Sequence, residues 1–166
     1  MRYLSIVLFV LVSLNLAAQT KTTEDLHKTN EEAFTLFFYH NTLRMFNQTD
    51  DATFDALIKD IEKMKFVMID RTKFGTADYK KLVSGYKSES FEEIMSSRIE
   101  GRNFDVFLKE VKGKTKGMVI AVNDPDKLYV LDIVGSIALD KVTKFVSTLD
   151  QNSEIAEKIK SFTTKE

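Results

Sequence analysis

The sequence contains no cysteine. That absence excludes a thiol nucleophile, a disulfide framework and a cysteine-ligated metal. It also excludes lipidation at an N-terminal cysteine. Without disulfides, the fold must be held by its core alone. Histidine is scarce, with only His27 and His40. The two are not one helical turn apart, and neither sits in an acid-rich cluster. They read as unrelated polar residues rather than a shared metal site, and no cofactor is implied. Neither charge sign is in excess: 24 Lys and Arg face 25 Asp and Glu, a net charge of −1. A near-neutral chain lacks the basic footprint of a nucleic-acid binder. No run of five like charges suggests a tail that binds by charge alone.

What is present begins with a leader. Arg2 is a positive start, Leu4 to Leu16 is apolar apart from Ser5, Ser13 and Asn15, and Ala17-Ala18 are small exit residues. This is the order a signal peptidase reads. The apolar run is about 13 residues, against the roughly 20 a helix needs to cross a bilayer. Residues 1–18 are therefore expected to be removed, leaving Gln19 first and no stable membrane insertion. The destination is then periplasmic or secreted. About 148 residues remain, enough for one ordinary domain with a sizeable core.

Residues 19–32 are polar without apolar periodicity and read as a flexible lead-in. Residues 33–162 read as a single α+β domain. Phe34 to Tyr39 is a β-favouring aromatic run, a buried first strand; its aromatics, with Phe46, read as core. Phe54, Leu57, Ile58 and Ile61 share one helical face after Asp50 and Asp51. Lys65 to Asp70 is a second strand. Gly75 and Thr76 open a helix with Tyr79, Leu82 and Val83 inward. This β-α-β-α order predicts a parallel strand pair with a helical crossover.

The second half changes character. Phe91–Ile99, Asn103–Val111, Gly117–Val122 and Leu128–Val134 read as strands joined by short turns, hence an antiparallel meander. The single proline, Pro125, suits the second position of the Asn123–Asp126 turn. Leu139, Val142, Phe145, Val146 and Leu149 form a helical stripe, and Ser153 starts a last short helix. The expected architecture is α+β: one mixed sheet with helices mainly on one face and helices at the C-terminus.

Candidates for chemistry are few. Gly113-Lys114-Thr115 lacks the first glycine of a phosphate loop, because position 108 is Leu108. Ser136 has no nucleophile-elbow glycines around it. Glu92 and Glu93 point to opposite faces of a strand. Asp124 and Asp126 are two oxygen donors where calcium needs about six. Asp132 is the one polar residue inside an apolar strand. Alternation places it toward solvent; facing inward, burial would raise its pKa and make it a functional candidate. His40, after the aromatic strand, is the other candidate.

The segment Leu131-Asp132-Ile133-Val134-Gly135-Ser136-Ile137-Ala138-Leu139-Asp140 and the stripe after it resemble the exported bacterial family called domain of unknown function 4252. So does the aromatic strand following a polar lead-in, with Leu43-Arg44-Met45-Phe46. Ile133, Gly135, Ile137 and Leu139 match that family's I-x-G-x-I-D-L pattern, whereas Ala138 replaces the capping aspartate. The resemblance covers roughly residues 30–150. It implies a Gram-negative exported protein and supplies no catalytic residues. Gly135 reads as structural, allowing a tight exit from the sheet.

The expected role is therefore a non-enzymatic binding or interaction module of the cell envelope, with an envelope protein as partner. It should carry an apolar patch of a few hundred Å² on an open sheet face. The alternatives are a carrier of a small apolar ligand, which needs an enclosed cavity, and a small hydrolase with a pocket near Asp132 or His40. Oligomeric state is left open.

Overall fold

Six strands form one sheet in which every neighbouring pair is antiparallel. The computed structural model describes residues 19–45, 52–99 and 101–136. The strands are β1 (Phe34–Tyr39), β2 (Ile61–Asp70), β3 (Glu92–Ile99), β4 (Arg102–Val111), β5 (Lys114–Asn123) and β6 (Lys127–Gly135). Their order across the sheet is β1-β2-β6-β5-β4-β3. The helices are α1 (Lys21–Thr29), α2 (His40–Met45), α3 (Ala52–Ile58) and α4 (Thr76–Ser88).

Strands β3 to β6 stand where the alternating pattern puts them, and consecutive strands are neighbours. The β4–β5 hairpin closes through Lys112 and Gly113, with φ of 53° and 70°. Two positive φ angles in a two-residue loop match the natural twist of paired strands. At the β5–β6 turn the Asp124 N–H donates to the Lys127 carbonyl at 2.9 Å, with Pro125 between them.

The first half departs from the expected mixed sheet. β1 and β2 are antiparallel neighbours, with Phe34 opposite Met68 and Tyr39 opposite Lys63. His40 opens α2 directly after β1, and its ring nitrogen lies within hydrogen-bond distance of the carbonyl oxygen of Ile61, the first residue of β2. The start of β2 is thus held beside the end of β1, and the chain re-enters at the end it left. Ile61, expected on the helical face with Phe54 and Ile58, instead begins β2. Among the described helices, only α4, with 13 residues, crosses the sheet. It joins β2 to β3, which run in the same direction but have three strands between them.

Helices also lie on both faces rather than mainly on one. Leu26 of α1 and Tyr79, Leu82 and Tyr86 of α4 pack with Val67, Phe107, Val119 and Val130 on the first face. Leu43 of α2 and Ile58 of α3 pack with Met64, Met118, Ile120 and Ile133 on the second. Burial on both faces explains why Met118 to Ala121 read as an unbroken apolar run. The fold is thus mostly one antiparallel sheet with few helices. The stripe from Leu139 to Leu149 and the helix expected from Ser153 lie outside the described residues.

The lead-in is also corrected: residues 21–29 are helical and docked. Thr20 caps the helix, accepting the Thr23 N–H at 3.0 Å. With Leu26 as its one large buried apolar residue, α1 carries no apolar stripe. It is seated by polar contacts.

Candidate functional site

Asp132 faces inward and is 1% exposed. Its row across the first face runs Phe37, Lys65, Asp132, Val119, Phe107. Above it lies the first turn of α1. Thr20 donates its N–H and its hydroxyl to Asp132 Oδ2, at 2.9 and 2.8 Å. The Thr20 and Thr23 hydroxyls are 2.7 Å apart, and Thr23 Oγ1 is 3.0 Å from the Tyr86 hydroxyl of α4. Burial pushes the Asp132 carboxyl above the usual carboxylate range, against the lowering effect of its hydrogen bonds to Thr20 and Thr23.

Lys65, beside Asp132 in the row, is fully buried at its side chain. Its Nζ donates to Glu24 Oε1 of α1 at 2.7 Å and lies 4.7 Å from the centre of the Phe37 ring. Phe37 and Tyr39 are exposed, so these edge-strand aromatics are not the core residues the sequence suggested. Phe46 lies outside the described residues.

A second polar group lies where α4 meets β3 and β4. Asp105 accepts the Tyr79 hydroxyl at Oδ2 and the Ser96 hydroxyl at Oδ1, the latter at 2.6 Å. An open groove of about 670 Å³ runs beside it, lined by Lys80, Arg98 and Asn103 among others. Both Asp105 oxygens are engaged, so the carboxylate ties the edge strand to α4. Burial pushes up the phenols of Tyr79 and Tyr86, and at Tyr79 the hydrogen bond to Asp105 adds to it.

That yields a pH prediction with a definite sign. The folded state keeps two protons that the unfolded chain releases near pH 10. Their contribution to stability is complete below that pH and is lost as pH rises above it. In an alkaline titration followed by tyrosinate absorbance and circular dichroism, two tyrosinates should appear only as the strand signal is lost. Ionisation of every tyrosine in the native state would disprove this.

The structure does not bring the other candidates to this place. His40 begins α2, and its Nδ1 is 2.9 Å from the Ile61 carbonyl oxygen. It ties α2 to the start of β2. His27 lies on α1, 3.0 Å from Thr35 Oγ1 and edge-on to Phe37. Among the described residues, no group of three or more His, Asp or Glu side chains could hold a metal ion. Arg102 Nε is 2.7 Å from Asp124 Oδ2, which engages one carboxylate of the Pro125 turn. Glu92 and Glu93 pair with Leu108 and Phe107, on opposite faces as expected.

The second face contributes the feature that sequence reasoning left undecided. Three rows cross it. Phe38, Met64, Ile133, Met118 and Leu108 lie toward α2 and α3. Leu36, Phe66, Leu131, Ile120 and Val106 form the middle row. Phe34, Met68, Tyr129, Val122 and Phe104 form the far row, and all five are half-buried. The alternation of each strand was visible. The rows require the pairing register, which no single strand encodes.

These features define a small antiparallel-sheet domain with a polar seat for its first helix and a partly open apolar end row. The chain belongs to the family described as "Domain of unknown function (DUF4252)", whose model matches residues 24–145. No curated protein and no solved structure matches it. No described helix is long and apolar enough to cross a membrane.

Proposed function

We propose that this protein is an exported, non-enzymatic interaction module of the bacterial cell envelope, docking an apolar surface of a partner protein on its second face. The observation that carries this reading is the far row: five apolar side chains from five adjacent strands, all half-buried. Such contiguous apolar surface on a sheet is the usual mark of an interaction site. Its aromatic and methionine content matches the composition of interface cores. The leader pattern at residues 1–18 supports the location.

The test is affinity capture by tagged residues 19–166 from native envelope extract, compared with Phe104→Asp and with Lys112→Glu in the exposed β4–β5 turn. A partner held by the parent and by Lys112→Glu, but at least about tenfold depleted with Phe104→Asp, is expected. Partners retained equally by all three proteins would sink the reading. A co-purifying lipid or metabolite with no protein would favour an apolar-ligand carrier.

A further inference from the structure

Among the described residues, Asp132 is a buried carboxylate without a cation. Among the described residues, no Lys, Arg or His forms an ion pair with it, and Lys65, its neighbour in the row, is engaged with Glu24. A carboxylate removed from water ordinarily has a charge partner. What Asp132 Oδ2 contacts is the backbone N–H of Thr20, a residue only 4% exposed. The leader's exit residues, Ala17 and Ala18, end two positions before Thr20, so cleavage there frees an α-amino group on Gln19. Successive backbone nitrogens are at most about 3.7 Å apart. With Thr20 N 2.9 Å from Asp132 Oδ2, the Gln19 nitrogen lies within about 6.6 Å of that oxygen.

We infer that Asp132 is the internal binding site for the α-ammonium group that leader removal creates on Gln19, so that processing supplies the missing positive charge and completes this part of the core. The inference rests on the export reading above. Other ionisable groups lie nearby: Tyr86 from α4 and Glu89 just after it, Glu24 from α1 and Lys65 from β2. Glu89 accepts the Lys21 and Thr22 N–H groups at 2.8 and 2.6 Å and so holds the turn that presents Gln19. In the uncleaved chain, burial holds the Asp132 carboxyl above its usual range. Paired with the ammonium group it falls back, and the amine rises above its ordinary value near ~8.

A competing reaction makes the inference sharper. A neutral N-terminal glutamine amine attacks its own side-chain carboxamide. The new C–N bond closes a lactam, the old one breaks, and ammonia leaves. A protonated amine has no lone pair for that attack, so pairing with Asp132 suppresses it.

The experiment secretes the full chain from a bacterial host and compares it with a chain carrying Ala-Gly between Ala18 and Gln19. Each is also made as Asp132→Asn. Intact mass gives the cleavage site and the state of Gln19. The inserted pair should lower the thermal midpoint by about 3–6 °C, and Asp132→Asn should remove that difference. Independently, a titration of glutamine-¹⁵N-labelled wild type should place the α-amino pKa at about 9 or above. Cleavage elsewhere would overturn both the export site and this inference. Cleavage after Ala18 with equal midpoints, an α-amino pKa at or below ~8, or Gln19 fully closed to pyroglutamate would overturn the inference alone.

Discussion

Gly135→Ala should destabilise the domain by about 3–5 kcal/mol, a large share of the roughly 5–15 kcal/mol that holds a typical domain folded. Gly135 ends β6 at φ 121°, a backbone conformation that side chains rarely adopt. Strain of that kind costs about 1–3 kcal/mol. Space adds to it. A Cβ here would overlap the Asp60 carbonyl oxygen and lie 3.0 Å from Glu62 N and 3.1 Å from Ile61 Cα. All three are backbone atoms, so no side chain can swing aside. Asp60 is also fixed from the other side, since the Ser136 N–H donates to its carbonyl at 2.8 Å. Forcing atoms into a packed site costs a further 1–3 kcal/mol or so. Urea denaturation of the variant reads the effect directly, and a midpoint matching the parent would refute this account of β6's exit.

The second large effect comes from the Lys65–Glu24 pair, and its size depends on which partner is removed. Glu24→Ala leaves the buried Lys65 ammonium without its ion-pair partner, with the Phe37 ring 4.7 Å away and Asp132 as its neighbour in the row. Loss of one partner from a buried pair costs about 3–5 kcal/mol. Glu24 retains 36% side-chain exposure, so water enters more readily and the expected loss is about 2–3 kcal/mol. Lys65→Met keeps the volume, removes the charge and should change stability by less than about 1 kcal/mol. In the Lys65→Met background, Glu24→Ala should then cost little. Calorimetric melting of the four proteins closes the cycle. Equal penalties for Glu24→Ala in both backgrounds would show that the ion pair does not hold α1.

These two sites also show where sequence reading stopped. Gly135 stands out in the sequence as a glycine that allows a tight exit from the sheet, but its φ of 121° and the backbone packed against it show only in the structure. The meander was legible too, since alternation and turn residues are local. Pairing between β1 and β2 was not. Alternation says which residues share a face but nothing about direction, and the antiparallel pairing shows only once β2 starts beside the end of β1, with His40 against the Ile61 carbonyl. Helix α1 was missed for a related reason. It is seated by Thr20, Thr23 and Glu24 on polar groups of the sheet, and a search for apolar periodicity passes over such a helix. Asp132 was singled out as the odd residue in its strand. Its inward direction became known only once Lys65 and Val119 were placed beside it.

From the sheet order, β6 is expected to be the last described strand to join the sheet. β6 is the last described strand along the chain, yet it lies between β2 and β5. Until it arrives, β1-β2 and β5-β4-β3 are two separate ribbons, and Asp132, on which Thr20 rests from 112 residues away, has not been made. Closing so long a loop comes late, because its entropic cost is met before its contacts form. A ribosome delivering this chain from its N-terminus therefore holds an open, unfinished sheet until almost the whole of β6 has emerged. Any machinery that must thread the chain while it is still extended has that interval in which to act.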